Sequence, residues 1–185
     1  MASDNDGPPH GKTKLVKKFT PIDFGPLNVY AESHIGNFRS GTYMMTTPKE
    51  DSLVLYRLYG GTAKEVGHYW TVEPRDGNVG FQLDYAMVPS WGSTLAKDTT
   101  LEVPSGIMLF EGYVASQKVH PTSQGFGGGA WQVLVPYPVV EALLKAQQAK
   151  EEGKCAAEVK EHVLEAKKAQ EEILDKYEKE LKKFD

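Results

Sequence analysis

The chain has 185 residues, of which 40% are hydrophobic and 25% are charged, and its formal net charge is −4 at pH 7. This composition is that of about one globular domain, and the negative balance disfavours a basic nucleic-acid-binding protein. The single cysteine excludes an internal disulfide framework, and no apolar run approaches the roughly 20 residues that a membrane-spanning helix needs.

Residues 1–18 predict a disordered basic leader, because they are polar, contain a Gly-Pro-Pro run and carry several closely spaced lysines. Such a segment is either a solvated tail or an arm for an acidic partner or a membrane surface. It lacks the apolar core of a Sec signal peptide, so the sequence predicts no Sec export.

Residues 19–138 predict a β-rich body whose short strand patterns are separated by glycine and proline. We expect strands at 53–59, 67–72, 99–103, 107–114 and 131–135, and one or two helical turns at 80–87. Strands and helices do not alternate in the βαβ manner. An α+β fold with a mixed or antiparallel sheet and small helices is therefore favoured over a doubly wound parallel sheet.

Residues 139–185 predict a charged, amphipathic helical extension that is broken near Gly153, because strong helix formers dominate this segment. Its apolar residues recur at steps of three and four and share one helix face. Two interpretations stay open. The helix either docks a partner or a second copy, as in a coiled coil, or packs back on the β body.

The sequence shows no signature of a metal site or of an activated nucleophile. The histidines are scattered without ligand spacing, and Cys155 lies in a Lys/Glu-rich helical segment. A Gly-x-Ser-x-Gly elbow, a Walker A loop and a dinucleotide-binding Gly-x-Gly-x-x-Gly are also missing. We therefore expect no metal and no resident cofactor.

Arg57 is the most informative polar residue, because it lies in an otherwise apolar and aromatic strand just before two glycines. An unpaired buried charge is costly, so this guanidinium needs an anion. A pyrophosphate fits its planar fork. A salt bridge to a core carboxylate such as Asp84 or Glu111 fits equally well.

Three further features favour a ligand site only weakly when each is taken alone. The glycine run at 127–129 permits positive φ and close ligand approach, or simply forms a flexible loop. Gln132 shares a strand face with Leu134 and needs hydrogen-bond partners, which a ribose or water would supply. Tyr69 and Trp70 would form a stacking wall for nicotinamide or adenine, although strand aromatics are more often core.

In chain order these features form an ordered set of short motifs: Tyr56-Arg57 with Gly60-Gly61, Gly67-x-Tyr69-Trp70-Thr71, Leu83-Asp84-x-Ala86-x-x-Pro89-x-Trp91-Gly92, Val103-Pro104-x-Gly106, Phe110-Glu111-Gly112-x-x-Ala115 and Gly127-Gly128-Gly129-x-x-Gln132. The order resembles the toxin domain of the tuberculosis necrotizing toxin (TNT) type, which is found at the ends of bacterial polymorphic toxins and in some fungal proteins. The resemblance covers roughly residues 54–136.

The resemblance implies a compact fold related to ADP-ribosyltransferases and the hydrolysis of NAD, or NADP, to nicotinamide and ADP-ribose. By motif position, Arg57 would hold the diphosphate and Gln132 would be the essential glutamine. Tyr69 and Trp70 would lie near the nicotinamide end. The sequence departs from the family at Tyr85, where an arginine often stands, and this removes one expected phosphate contact.

Cleavage of the bond between nicotinamide and ribose in NAD requires little proton transfer, because nicotinamide leaves without being protonated and the ribose passes through an oxocarbenium-like state. Gly128 and Gly129 would bring backbone close to the substrate. Asp84 or Glu111 would supply a negative field at the developing cation. Gln132 would orient the ribose or the attacking water.

The sequence thus predicts an NAD glycohydrolase (NADase) that acts as a secreted toxin or effector. A dedicated system would deliver it to the cytoplasm of a target cell, and an immunity protein is a possible partner. Two alternatives stay open. One is a mono-ADP-ribosyltransferase that uses the same NAD site, although no convincing Glu-x-Glu lies near the last strands. The other is a non-enzymatic β module with a partner-binding helix.

Overall fold

The computed structural model describes residues 7–118 and 125–184. Within them the strands are β1 (Thr13–Phe19), β2 (Tyr43–Pro48), β3 (Ser52–Gly61), β4 (Tyr69–Trp70), β5 (Ser93–Pro104), β6 (Leu109–Tyr113) and β7 (Trp131–Leu134). The α-helices are α1 (Pro26–Tyr30), α2 (Val79–Asp84), α3 (Tyr137–Glu151) and α4 (Ala156–Leu181), and short 3₁₀ helices occur at Glu32–Asn37, Arg39–Gly41 and Pro89–Trp91.

The strands form two antiparallel sheets, which confirms the α+β class. Five strands pair in the order β1-β2-β6-β7-β4, and β3 pairs with β5 as a long two-stranded ribbon. One backbone bridge joins the two sheets, because Tyr56 and Thr71 exchange hydrogen bonds of 2.9 and 2.8 Å. This bridge holds the ribbon beside the edge strand β4 and leaves a cleft between them.

The predicted disordered leader at residues 1–18 is corrected by the structure, while residues 1–6 lie outside the described part. Strand β1 pairs with β2 from Thr13 to Phe19 and buries both of these end residues. Each of its three lysines is exposed, and β1 lies at the edge of the sheet. Charged edge strands are a common protection against unwanted pairing, so the polar composition marked a solvated strand face and not a disordered tail.

The helical segment begins two residues before its predicted start and is two helices, with a break that includes Gly153 at φ +70°. Helix α3 buries Val140 and Leu143 in the core beneath the sheets. Helix α4 contributes Ala166 to that core and Tyr177 to the cluster on the other sheet face. The interpretation that fits is therefore the one in which the helices pack back on the β body.

The core consists of two clusters, one on each face of the five-stranded sheet. Val133 of β7 lies in the cluster with helix α3, and the next residue, Leu134, lies in the cluster with Phe19 and Tyr43. This alternation confirms the predicted facing of β7, and it places Gln132 on the face of Leu134. None of the helices in the described ranges has both the length and the apolar character that a bilayer crossing requires.

Candidate functional site

A cavity of about 290 Å³ opens between strand β3 and the end of the five-stranded sheet. Its walls come from β3, β4, β7, the segment from α2 to the 3₁₀ helix at Pro89–Trp91, and the end of the Glu32–Asn37 turn. The lining residues are Asn37, Tyr56, Arg57, Leu58, Tyr69, Trp70, Thr71, Phe81, Tyr85, Ala86, Met87, Trp91, Val114, Gln117 and Gln132.

Four of the residues predicted for the site line this one cavity, although they come from three different strands. Arg57 lies on β3, Tyr69 and Trp70 form β4, and Gln132 lies on β7. The pairing of β4 with β7 and the backbone bridge from β4 to β3 bring them together. Tyr85 lines the same cavity.

Arg57 is held by neutral carbonyl groups. Its Nη1 donates to the Tyr69 carbonyl at 2.9 Å, and its Nε and Nη2 donate to the Lys64 carbonyl at 3.3 and 3.2 Å. Within residues 7–118 and 125–184 it forms no ion pair, so neither Asp84 nor Glu111 neutralises it. Burial lowers the pKa of Arg57 below its usual value. The site thus presents a partly desolvated cation whose charge is uncompensated by the described residues, which is the state that an anionic ligand relieves.

Gln132 is buried, with 6% of its surface exposed, and its amide is fixed at one end. Its Nε2 donates to the Asn37 carbonyl at 2.8 Å. None of the described residues donates a hydrogen bond to its Oε1. The amide oxygen is therefore the end of Gln132 that a ribose hydroxyl or a water would engage.

Asn37 connects the polar residues of the cavity. Besides accepting from Gln132, it donates from Nδ2 to the Tyr69 hydroxyl at 2.7 Å and accepts from Gln117 at 3.3 Å. The Tyr69 hydroxyl also lies 2.5 Å from Nδ1 of His34. The Tyr69 hydroxyl is thus hydrogen-bonded to both Asn37 and His34. Burial raises the pKa of Tyr69 to about 12, so the phenol is neutral.

Much of the remaining cavity wall is aromatic. Trp70 is buried and its indole N–H donates to the Gly67 carbonyl at 2.8 Å. On the facing segment, the rings of Phe81 and Tyr85 stack with centroids 4.6 Å apart, and Trp91 is 54% exposed at the rim. Flat apolar walls of this kind suit a planar heterocycle.

Several lining residues were missed by the sequence reasoning. Asn37 gave no signal, because it lies outside the segment that resembles the family and acts partly through its backbone carbonyl. Phe81 and Tyr85 are four residues apart, a spacing that by itself predicts only the helical turns at 80–87. Their stacking shows that the same pattern marks a wall of the cavity.

The structure places the glycine run behind the cavity and not on its surface. Gly128 N–H donates to the Leu83 carbonyl at 2.9 Å, and Gly129 N–H donates to the Val114 carbonyl at 3.0 Å. A Cβ at Gly128 would lie 2.6 Å from the Val114 oxygen, and its φ is +65°. The run therefore needs glycine to thread between helix α2 and strand β6, and neither Gly128 nor Gly129 contacts the cavity.

The two predicted carboxylates also lie away from the cavity. Asp84 is exposed, and its carbonyl accepts from Ala130 N–H at 3.1 Å. Glu111 is fully buried on the opposite sheet face, because it pairs with Val133 and not with Gln132. The structure therefore brings neither side chain to a position where it would face a ligand in the cavity.

Glu111 instead fastens the N-terminal segment to the sheet. Its carboxylate contacts His10 at 2.6 Å, Thr13 at 2.7 Å and Trp131 at 2.8 Å, and it also accepts from Thr46. Burial raises the pKa of Glu111, but the four hydrogen bonds outweigh it and the net pKa is lowered. The residue thus stays charged and structural, which explains why a polar N-terminal segment is ordered.

Comparison of the chain with protein-family models, with curated proteins and with solved structures finds no match.

Proposed function

We propose that this protein is an NAD glycohydrolase with a fold related to ADP-ribosyltransferases, which cleaves NAD or NADP to nicotinamide and the corresponding ADP-ribose. The observation that carries the proposal is the position of Arg57. A guanidinium without a counter-charge among the described residues lines the same cavity as a buried glutamine and an aromatic wall. These are the three elements that a dinucleotide with a diphosphate, a ribose and a flat base requires.

In this proposal the diphosphate binds to Arg57. Two of its guanidinium nitrogens already donate to the Lys64 carbonyl and a third donates to the Tyr69 carbonyl, so the fork has a fixed orientation. A phosphate oxygen would supply the missing negative charge, and charge-assisted hydrogen bonds are about twice as strong as neutral ones. Fixed orientation before binding reduces the entropic cost of capturing the ligand.

The nicotinamide ribose would then lie at Gln132. The bond between C1′ and the nicotinamide nitrogen breaks with both electrons going to nitrogen, so nicotinamide leaves as a neutral molecule. Water adds to the oxocarbenium-like carbon and gives up a proton to solvent. The Oε1 of Gln132 would accept a hydrogen bond from a ribose hydroxyl or from that water and hold it in position.

The cavity favours hydrolysis over transfer to a macromolecule. A transferase needs a carboxylate that activates its acceptor, and among the residues the structure describes no Asp or Glu lines this cavity. The cavity also argues against the non-enzymatic alternative, because Arg57 and Gln132 line an open cleft and do not bond to each other. Hydrolysis needs only water and the groups named above.

The test is incubation of the purified protein with NAD and quantification of both products. We expect nicotinamide and ADP-ribose in equal amounts, and we expect Gln132→Ala and Arg57→Ala each to lose most turnover while keeping the wild-type circular dichroism spectrum. Gln148→Ala and Arg39→Ala are matched controls outside the cavity and should keep activity. If NAD labelled in its ADP-ribose part transfers the label to a macromolecule, with little free ADP-ribose, the transferase is indicated instead.

The role as a toxin or effector rests on the resemblance. It predicts that expression of the wild-type chain in a host cytoplasm depletes NAD and stops growth, whereas Gln132→Ala does neither. A delivery system and an immunity protein would belong to this role. Normal growth with sustained NAD depletion would contradict toxicity without contradicting the enzymatic proposal.

A further inference from the structure

A second cavity of about 330 Å³ adjoins the first one. The two share Tyr56, Arg57 and Leu58 of strand β3, so Arg57 lies at their junction. A ligand whose anionic part bound to Arg57 would therefore extend into both cavities. The second cavity is the more polar one and contains two further cations, Arg75 and Lys97.

A diphosphate carries two negative charges, and Arg57 supplies only one positive charge. A second cation near the junction would balance the other phosphate. Neither Arg75 nor Lys97 forms an ion pair in the described part of the chain. The cavity also holds Asp76 and Asp98, so its overall charge is small and the position of each cation decides what it binds.

The aromatic contacts of the two cations distinguish them. The guanidinium carbon of Arg75 lies 5.9 Å from the ring centroid of Tyr85, which lines the first cavity. Tyr85 in turn stacks on Phe81, which lines both cavities. The ammonium of Lys97 lies 5.9 Å from the ring of Tyr59, which lines neither. Arg75 is thus held on the side of the junction, and Lys97 is held away from it.

We propose that Arg75 is a second diphosphate-binding residue, which the Tyr85 ring positions opposite Arg57. The inference rests on the proposed function, because the ligand is the diphosphate of its substrate and product. It also gives a role to Tyr85, which stands where the toxin domains that this sequence resembles often have an arginine. Arg75, in the loop between β4 and α2, would supply the positive charge, and the Tyr85 ring would support it.

The test is the binding of ADP-ribose, which carries the diphosphate and is not turned over, measured by isothermal titration calorimetry. Arg75→Ala should weaken binding by about tenfold or more, as expected for the loss of a charge-assisted hydrogen bond. Arg75→Lys should restore part of the loss, and Lys97→Ala should change the dissociation constant by less than about twofold. Arg75 is exposed, so its removal should leave the unfolding temperature unchanged.

A kinetic readout separates binding from chemistry. With NAD as substrate, Arg75→Ala should raise KM while kcat stays near the wild-type value, because Arg75 lies away from the ribose carbon that reacts. Tyr85→Leu should reproduce part of the KM effect in the presence of Arg75 and add little in its absence. This non-additivity is the signature of a positioning residue.

Three results would overturn the inference. They are an Arg75→Ala dissociation constant within twofold of wild type, an equal loss in Lys97→Ala, and a wild-type protein that does not bind ADP-ribose at all. Failure of the proposed function looks different. A protein that binds ADP-ribose through Arg57 and Arg75 but releases no nicotinamide would refute the hydrolase and keep the anion site.

Discussion

The guanidinium of Arg57 occupies the space that a side chain at Gly67 would need. A Cβ at Gly67 would lie 2.3 Å from Nη2 and 2.4 Å from Cζ of the guanidinium. Glycine is thus needed at position 67 to leave room for the Arg57 guanidinium, and not to form a turn. It explains in physical terms why a Gly-x-Tyr-Trp motif belongs with an arginine ten residues earlier in the sequence.

Gly67→Ala should therefore displace the guanidinium without removing it. We expect the affinity for ADP-ribose to fall by about tenfold, because the fork loses its fixed orientation. The matched control is Gly127→Ala, where an added Cβ meets nothing within 4 Å. An unchanged affinity in Gly67→Ala would show that the guanidinium position does not matter for the diphosphate.

A pair of histidines lies behind the cavity wall. The rings of His34 and His68 have centroids 4.5 Å apart, and His68 Nε2 lies 3.1 Å from the Tyr30 hydroxyl. Burial is the main cause that lowers the pKa of His68 to about 4, with smaller contributions from repulsion by His34 when it is protonated and by Arg57. Burial also lowers the pKa of His34. Both imidazoles are thus neutral in the folded protein near neutral pH.

The lowered pKa of His68 predicts a pH dependence of stability. Between pH 6.5 and about 4 the unfolded state binds a proton at His68 that the folded state does not, so the free energy of unfolding falls as the pH falls through this window. His68→Gln should remove about 1 kcal/mol of this dependence, a value reduced because the ring is half-exposed. Urea unfolding at pH 4.5 and 7 measures it, with His162→Gln as control. If the free energy of unfolding changes by the same amount between the two pH values in wild type and in His68→Gln, the assignment is contradicted.

At the level of elements, the glycine run links helix α2 to strands β6 and β7. Gly128→Ala should destabilise the fold by about 1–3 kcal/mol, because its φ is +65° and an added Cβ would meet the Val114 oxygen at 2.6 Å. Gly127→Ala should stay within about 0.5 kcal/mol of wild type. Chemical denaturation of the two variants compares a required glycine with a tolerated one. Equal stabilities would show that the run is a flexible loop.

Strands with an apolar or aromatic pattern could be predicted from the sequence, and this covers β3, β5, β6 and β7 at their approximate positions. Strands β1 and β2 could not. Strand β1 is a lysine-rich edge strand whose inward residues are few, and the burial of the interior strand β2 does not alternate along the chain. The predicted strand at 67–72 is reduced to two paired residues, since only Tyr69 and Trp70 reach β7. Edge strands are determined by their neighbours, and the local sequence does not contain that information.

The same limit applies to the site. That Arg57, Tyr69, Trp70 and Gln132 meet at one cavity could be anticipated, because each sits in a short, ordered motif; their roles stay predictions. The prediction that Glu111 places a negative charge at the substrate depended on which sheet face the residue occupies. Because Glu111 pairs with Val133, it lies on the face opposite Gln132. Asn37 could not be predicted at all, since no local pattern shows that a loop carbonyl meets a strand 95 residues later.

At the level of the whole molecule, the C-terminal helices complete the core. Tyr177 of α4 is 9% exposed and packs on Phe19 and Phe24 with ring centroids 6.4 and 6.1 Å apart. Tyr177→Ala should lower the free energy of unfolding by about 2–4 kcal/mol. Leu164→Ala, on the same helix but 54% exposed, should cost less than about 1 kcal/mol. Similar losses in the two variants would indicate that α4 does not pack on the body through Tyr177.

The central proposal is that the cavity lined by Arg57 and Gln132 turns over NAD. Its most direct test is nicotinamide release from NAD by the wild-type protein and by Gln132→Ala at equal micromolar concentration, with both folds checked by circular dichroism. We expect steady release by the wild type, in equal amount to ADP-ribose, and a loss of most of it in the variant. A folded wild-type protein that releases no nicotinamide, or a Gln132→Ala variant as active as the wild type, would contradict the proposal.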